Sequence, residues 1–386
     1  MKFNPYMKIL IDSTQVPRGR TGVGVYAEHL IHELAIISHP EDMIFVLVQK
    51  DDESMRKIIA GHASLHPLII DSSLFRNRLA LALYEQFVLP GILLYHRIDL
   101  LHSLHYRFPL LRPCSRIVTL HDMTHLLWPE MHTMGRRLTM SFFAKMALRH
   151  AEGVLFVSES TRRDAEHIFG VGQNLRSVTP LGVDNNCYSR ISPAQTKDAL
   201  LRLNIHRPYI LFLGTLEPRK NLMRLIQAFE LVGQHHSEHV LVIGGGLGWH
   251  YEPTLQALQT SPMKARIHYL GYISEQDKIP LIAGCDLLAY PSLYEGFGLP
   301  VLEGMAAGVA VVTSNTSSLP EVAGEAAIMV DPASVEQIAT AISSVLSNRQ
   351  YSEELRQAGK VQASQFSWEK TAELTYAAYE RLKAGS

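Results

Sequence analysis

Two glutamates stand eight positions apart in the segment Tyr290-Pro-Ser-Leu-Tyr-Glu295-Gly-Phe-Gly-Leu-Pro300-Val-Leu-Glu303-Gly-Met-Ala-Ala-Gly308. A carboxylate only accepts hydrogen bonds, so each can grip a pair of adjacent hydroxyls, as on a sugar or a ribose. Gly296 and Gly298 let the backbone approach a ligand and reach dihedrals that other residues resist. Pro300 suits the first turn of a helix, and the unpaired N–H groups of that helix start favour an anion. Singly, Glu303 reads as a helix-dipole or solvated residue and Glu295 as a loop charge. With the glycines and the strand–loop–helix setting, the segment reads as a holder of a phosphorylated sugar.

A second segment, Leu213-Gly214-Thr215-Leu-Glu217-Pro218-Arg219-Lys220-Asn221-Leu222, also leaves a strand and opens a helix. Arg219 can hold a diphosphate in bidentate fashion and Lys220 as a point charge. Positive charge at a helix start opposes the dipole, which weighs against a merely solvated role. A third, Arg18-Gly19-Arg20-Thr21-Gly22-Val23-Gly24-Val25-Tyr26, is a Gly-rich loop after a strand. Gly22 and Gly24 are explained equally well by close helix packing. A fourth, Thr119-Leu120-His121-Asp122, puts His121 at the carboxyl end of a strand. A lone strand-end histidine is usually a hydrogen-bonded structural residue, and Asp122 is expected only to orient it. His102 and His105 read as core or cleft residues.

These residues need a scaffold that gathers strand ends. Short apolar runs without alternation fall at Lys8–Asp12, Ile44–Gln49, Pro67–Ile70, Leu100–His102, Arg116–His121 and Gly153–Val157. They recur at Tyr209–Gly214, His239–Gly244, Arg266–Leu270, Leu287–Pro291, Ala310–Ser314 and Ala327–Val330. Such runs suit parallel strands buried on both faces. Between them lie helical patterns, such as Leu222, Leu225, Ile226 and Phe229. The expected class is α/β, doubly wound, and the pattern occurs twice. Two Rossmann-like domains, 1–183 and 184–367, are therefore expected to face each other across a cleft. A linker is expected from about Leu181 to Arg207. The helix 368–386 follows and is expected to join the first domain.

The chain has 386 residues, which suits two domains. A net charge of -1 gives no global pull toward nucleic acid. The three cysteines, Cys114, Cys187 and Cys285, have no metal spacing and read as free thiols in a reducing compartment. No secretory signal is read at the N-terminus, so the expected location is cytoplasmic. The stretch Leu79–Leu94 contains Glu85, Gln86 and Pro90 and makes a poor membrane span. Arg136, Arg137, Lys145, Arg149 and His150 share a helical pattern with Met140, Phe142, Phe143, Met146 and Leu148. That pattern allows peripheral contact with an anionic membrane, although one buried face explains it too. No Asp-x-Asp pair has a ligand-like setting, and Asp51-Asp52-Glu53 has none either.

The Glu295-to-Glu303 segment resembles the Glu-x7-Glu motif of retaining glycosyltransferases of the GT-B fold, the large family 4 group. His268-Tyr-Leu-Gly-Tyr272 and Asn315-Thr-Ser-Ser-Leu-Pro-Glu321-Val-Ala-Gly324 resemble the same family. The resemblance spans almost the whole second domain and is weaker in the first. It implies that Glu303 binds the ribose hydroxyls and that Glu295 approaches the donor sugar. Backbone amides of Gly296, Phe297, Gly298 and Leu299 would contact the sugar and phosphate. Gly22, Gly24, Gly214 and Tyr272 join them on the donor side. His121 would lie against the donor sugar, and Lys220 and Arg219 would stabilise the leaving diphosphate. Many members carry an arginine directly after the glycine where this chain has Thr215, so Arg219 is given that role. The resemblance further implies metal-independent catalysis with no cofactor, and a nucleoside diphosphate sugar as donor. The Glu-Pro-Arg-Lys-Asn string is similar to that of bacterial mannosyl- and rhamnosyltransferases of surface polysaccharide. GDP-mannose is the first expectation as donor, with UDP-sugars or GDP-rhamnose as alternatives. The acceptor would be a lipid-linked or lipopolysaccharide saccharide. Ser318-Leu-Pro-Glu321 reads as a capping box, so Glu321 is given no catalytic role. A sugar-nucleotide epimerase of similar architecture and a bilobal sugar-binding protein are the readings from other classes.

Overall fold

The computed structural model describes residues 6–16, 22–170, 172 and 174–384. The Gly-rich segment Arg18–Thr21 lies outside the described residues. The chain divides into two units, Met1–Gly182 with Trp368–Ser386, and Val183–Ser367.

The first unit is built on seven strands. They are β1 (Lys8–Asp12), β2 (Met43–Gln49), β3 (Leu65–Ile70), β4 (Leu100–Ser103), β5 (Ser115–Leu120), β6 (Gly153–Phe156) and β7 (Leu175–Val178). All pair in parallel, in the order β3-β2-β1-β4-β5-β6-β7. Ile9, Leu10 and Ile11 are buried in succession, so β1 has a covered residue on both faces. The strand expected from Pro67 begins at Leu65 and carries Pro67 within it. This is tolerated because β3 is an edge strand, where a missing N–H need cost no ladder bond. β7 has no counterpart among the expected strands. Its Leu-Arg-Ser-Val is half-buried throughout, so an edge position leaves no apolar run to read.

The second unit repeats the plan with β8 (Tyr209–Leu213), β9 (Val240–Gly244), β10 (Ile267–Gly271), β11 (Leu287–Tyr290), β12 (Ala310–Ser314) and β13 (Ile328–Val330). The order is β10-β9-β8-β11-β12-β13, all parallel. The winding reverses between β8 and β11. The loops leaving these two strands therefore diverge and open a crevice at their carboxyl ends, where ligands of such sheets bind.

The expected linker is corrected. Helices Asn185–Ser189 and Pro193–Arg202 occupy it and belong to the second unit. The backbone N–H of Gln195 donates to the Ser192 hydroxyl at 3.2 Å, and that of Ser192 donates to the Gln195 side chain at 2.9 Å. Ser-Pro-Ala-Gln is thus a capping box, which polar composition alone conceals.

The helix Trp368–Ala384 packs in the first unit. Trp368 stacks on His29 at 4.7 Å, and the Tyr379 hydroxyl lies 2.6 Å from Nδ1 of buried His102. His102 Nε2 lies 2.8 Å from the Thr119 hydroxyl, itself 2.9 Å from the Tyr26 hydroxyl. His102 is therefore part of a closed structural network.

Candidate active site

The loop after β8 turns through the 3-10 segment Pro218–Lys220 into the helix Leu222–His235. Asn221 makes that junction with a left-handed backbone, φ 60°. Its side-chain amide donates to the carbonyls of Pro291 and Pro332 at 2.8 and 2.7 Å. The loop after β8 is thereby tied to the loop after β11. The Leu293 N–H adds a bond to the Arg219 carbonyl at 2.8 Å.

The loop after β11 carries Glu295, and the helix Leu299–Ala306 follows it. Of its two glycines, Gly298 has the left-handed backbone, φ 106°. A Cβ there would also come within 2.7 Å of Leu319, so a side chain is refused twice. Gly296 is not among the positive-φ glycines, so the unusual dihedral expected of both glycines is found at Gly298 alone. The Phe297 side chain is buried, 6.0 Å from the Phe366 ring, so this residue can offer a ligand only its backbone.

A run of hydroxyls at the end of β12 and just after it holds this loop. Thr313 donates to the Tyr290 carbonyl at 3.0 Å, and Ser314 to that of Ser292 at 2.6 Å. Thr316 donates to the Leu293 carbonyl at 3.2 Å. The Glu295 N–H donates to the Ser317 hydroxyl at 2.9 Å. Ser318 reaches the carbonyls of Glu295 and Phe297 at 3.0 and 2.7 Å. The capping box expected at Ser318 is therefore corrected, since Ser318 makes no side-chain cap bond. Its hydroxyl is taken by the loop instead. Removing it leaves two buried carbonyls short of a donor. Ser318→Ala is expected to cost about 1–2 kcal/mol in denaturant unfolding and to raise the donor KM. Unchanged values of both would remove the buttressing role.

Glu295 lies at the centre of the site and is buried. Lys220 Nζ donates to its Oε1 at 2.8 Å, and Arg219 Nη1 to its Oε2 at 2.7 Å. The Tyr290 hydroxyl accepts from Lys220 at 2.7 Å and donates to Glu295 Oε1 at 3.0 Å. Arg219 also donates to Glu217 Oε1 at 2.6 Å, and Trp249 Nε1 donates to Glu217 Oε2 at 3.1 Å. Two cations and two carboxylates thus balance in one network, buried at Lys220 and Glu295 and partly buried at Arg219 and Glu217. Burial pushes the Glu295 pKa up, but Arg219 and Lys220 outweigh it and hold the group at about 2. Burial, then Arg219, lower the Lys220 pKa against the pull of Glu295. Both oxygens of Glu295 are engaged by these partners. This sharpens the sequence reading: Glu295 is the counter-ion of the two cations expected to hold a diphosphate.

Glu303 sits on the Leu299–Ala306 helix, also buried. Lys278 Nζ donates to its Oε1 at 2.5 Å. The Tyr188 hydroxyl bonds it as well, and burial raises the tyrosine pKa far above its usual value. Neither Lys278 nor Tyr188 was expected at the site. Their only sequence signal is position, in a helix before β11 and in the polar stretch read as linker. Lys278→Met should leave Glu303 less fixed. We expect it to weaken nucleoside diphosphate binding about tenfold while leaving the 2′,3′-dideoxy analogue unaffected, as read by calorimetry. Equal weakening of both would mean that Lys278 acts on something other than ribose recognition.

Of the other expected donor residues in this unit, Gly214 adjoins Lys220 while Tyr272 is placed apart. Tyr272 follows β10, is 69% exposed, and β9 separates that strand from β8. A Cβ on Gly214 would meet only ordinary contacts from 3.5 Å, whereas one on Gly245 would come within 1.9 Å of the Gly214 carbonyl. The close approach thus demands glycine at position 245, not 214.

In the first unit, His121 directly follows β5. Its Nε2 lies 2.8 Å from the Leu104 carbonyl, so Nε2 carries the proton and Nδ1 is left as the acceptor. Burial lowers its pKa, which keeps the ring neutral. The orienting group is Leu104, not Asp122 as expected. Asp122 Oδ1 accepts from the Thr124 N–H and hydroxyl at 3.1 and 2.8 Å. Gly22 opens the helix Gly22–Ile37 and Gly24 is buried in it.

Among the described residues, one group could hold a metal ion. Ligand atoms of His236, Glu238 and His239 lie within 4.8 Å of one another. The group precedes β9, at the end of the sheet away from Glu295. Asp52 instead N-caps the helix Glu53–Ala60 and Asp51 accepts from Ser72.

Two family models match the chain: glycosyl transferases group 1 over residues 195–362, and glycosyltransferase family 4 over 20–186. The chain is similar to the O-antigen chain mannosyltransferase B of Escherichia coli. Identity is 31%, and the match covers 97% of this chain and 100% of that protein. Among solved structures it resembles sucrose-phosphate synthase from Thermosynechococcus elongatus, with TM-score 0.78, 18% identity, and coverage of 98% and 100%. It also resembles Anabaena Alr3699/HepE, solved in complex with UDP and glucose, with TM-score 0.75, 18% identity, and coverage of 97% and 100%. With Glu295, Arg219 and Lys220 gathered where the second parallel sheet reverses its winding, the chain belongs to the group 1 and family 4 glycosyltransferases of the GT-B fold.

Proposed function

We propose that this glycosyltransferase moves mannose from GDP-mannose to a hydroxyl of a lipid-linked saccharide, at the cytoplasmic face of the membrane, with retention and without a metal. The observation that carries the donor half is the Glu295–Arg219–Lys220 network at the β8/β11 switch point. The leaving diphosphate gains negative charge as the glycosidic bond breaks. Two preplaced cations, which exchange Glu295 for the phosphates, and the start of the Leu222–His235 helix can receive that charge. In a retaining reaction of this kind the leaving phosphate takes the acceptor's proton on the same face, so no enzymic nucleophile is needed. The mannosyl choice rests on the relative from Escherichia coli. His121 is assigned to the donor sugar as a neutral ring, with Nδ1 as its free acceptor.

The test is a panel of nucleotide sugars read by thermal shift and then by product analysis. GDP-mannose should stabilise the protein more than UDP-glucose, UDP-GlcNAc or GDP-rhamnose, by mass action. NMR of the product should show the donor's anomeric configuration, and turnover should survive EDTA. An inverted product would refute retention, and loss of activity in EDTA would refute metal independence. A second donor reading, UDP-glucose, is favoured by the UDP and glucose complex of the Anabaena neighbour. It wins if UDP-glucose gives the larger shift and the only transfer.

A further inference from the structure

The first unit has a surface that glycosyl transfer does not explain. From Arg78 to His96 the chain is helical throughout: Arg78–Leu83, a π-helical turn Tyr84–Val88, then Leu89–His96. Its polar residues Glu85 and Gln86 turn inward while part of its apolar surface turns outward. Glu85, the only acidic residue between Leu79 and His96, is buried. Arg107 Nε donates to its Oε2 at 2.8 Å. Burial still pushes its pKa up to about 7. Gln86 is also turned inward. Its amide donates to the Phe108 carbonyl at 3.2 Å, and its oxygen accepts from the Leu110 N–H at 2.8 Å.

One face, with Tyr84, Leu89 and Leu93, is buried, but other large apolar residues face outward. Leu79 is 68% exposed, Phe87 67%, Leu94 65% and Tyr95 83%. Leu110 and Leu111, joined to the stretch through Gln86, are exposed too. A soluble helix does the opposite, and a continuous apolar ridge on a monomer marks an interaction surface. By length and composition Leu79–His96 could cross a membrane. However, Leu89 and Leu93 are locked into the core with Leu10, Leu47 and Leu101 of the first sheet. The stretch can therefore lie on a bilayer but not leave the fold to span one.

Charge selects the occupant. Arg97 is exposed directly after the stretch, and exposed Arg112, paired with Glu152 at 2.7 Å, follows Leu110 and Leu111. The helix Met134–His150 adds exposed Leu138 and Phe142 beside exposed Lys145. It is coupled to the ridge because Phe143 carries the Arg107 guanidinium at 5.4 Å over its ring. Apolar side chains with a tyrosine and a basic fringe fit the boundary of an anionic bilayer. We propose that the Leu79–Tyr95 ridge seats the first unit in the interface of an anionic membrane. This puts the principal contact at Leu79–Tyr95 rather than at the Arg136–His150 helix, whose sequence pattern allows one.

Flotation of the full chain with vesicles tests it. The wild type should float with vesicles of phosphatidylcholine and phosphatidylglycerol, and less with phosphatidylcholine alone. Phe87→Asp with Leu94→Asp should lower partitioning at least about tenfold. The same variant should keep its melting temperature and its turnover on a water-soluble acceptor, so this test is separate from that of the transferase reading. Failure of the wild type to float with either vesicle overturns the proposal, as does equal flotation of the variant. A concentration-dependent dimer that these substitutions abolish would also overturn it, by giving the ridge to a second copy of the chain.

Discussion

Lys220→Met is expected to lower kcat/KM for transfer by about 10²–10³, with kcat carrying most of the loss. The ammonium is buried, 2.8 Å from Glu295 and 2.7 Å from the Tyr290 hydroxyl. Burial lowers its pKa, which makes the charge costly to hold there unless an anion shares the site. Glu295 supplies that anion when no donor is bound. A diphosphate supplies more of it, and most as the bond to the sugar breaks. An interaction that strengthens toward the transition state appears in kcat rather than in KM. The variant should still fold, because Glu295 keeps Arg219 and Tyr290 as partners. Steady-state kinetics with the preferred donor decides it. A kcat within roughly threefold of wild type would remove Lys220 from the chemistry. Lys220→Arg should not restore activity. The buried Nζ meets Glu295 and the Tyr290 hydroxyl as a point charge, a placement that the wider planar guanidinium does not reproduce.

The sheets were legible because burial on both faces leaves unbroken apolar runs, as in Ile210-Leu211-Phe212. β7 was not, since an edge strand need not be apolar. The donor loop was legible through residue types with few other uses: glycines beside a glutamate at a strand end, then a proline. What sequence reading missed was the support around that loop. Thr313, Ser314, Thr316, Ser317 and Ser318 act through backbone atoms, and a hydroxyl does not announce its partner. Ser318 shows the difficulty well, because its spacing to Glu321 fits a cap while its bonds go to Glu295 and Phe297. Lys278 was hidden for another reason. A lysine on an amphipathic helix looks solvated until the fold brings Glu303 within 2.5 Å. Pairings distant in sequence are set by topology, and a single sequence carries no direct record of them. Likewise, Phe87 and Leu94 look like core residues in any apolar run. Only the inward turn of Glu85 and Gln86 shows which way the helix faces.

Glu295→Gln should separate the two roles that the network gives this residue. At neutral pH the unliganded variant should be less stable by about 3 kcal/mol, the lower end for breaking a buried ion pair. Its two cations would then be balanced by Glu217 alone. A pKa of about 2 against an ordinary 4.5 is itself worth roughly 3 kcal/mol. The sign follows from the direction. The folded pKa is depressed, so the contribution is complete above pH 4.5 and is lost as pH falls from 4.5 toward 2. Denaturant unfolding across that window should show a shallower acid slope in the variant than in the wild type. Added nucleoside diphosphate should then stabilise the variant more than the wild type, because its phosphates replace the missing anion without having to displace it. We expect transfer nevertheless to fall by about 10²–10³, since the family resemblance implies that the Glu295 carboxylate approaches the donor sugar and a bound diphosphate does not replace it there. A purely structural glutamate would give the stability loss but let saturating donor restore turnover. If diphosphate bound the variant no more tightly and the acid slope were unchanged, Glu295 would not be the counter-ion of the phosphate clamp. Tighter product binding is what the counter-ion role requires, and slower transfer is what a role at the donor sugar adds to it.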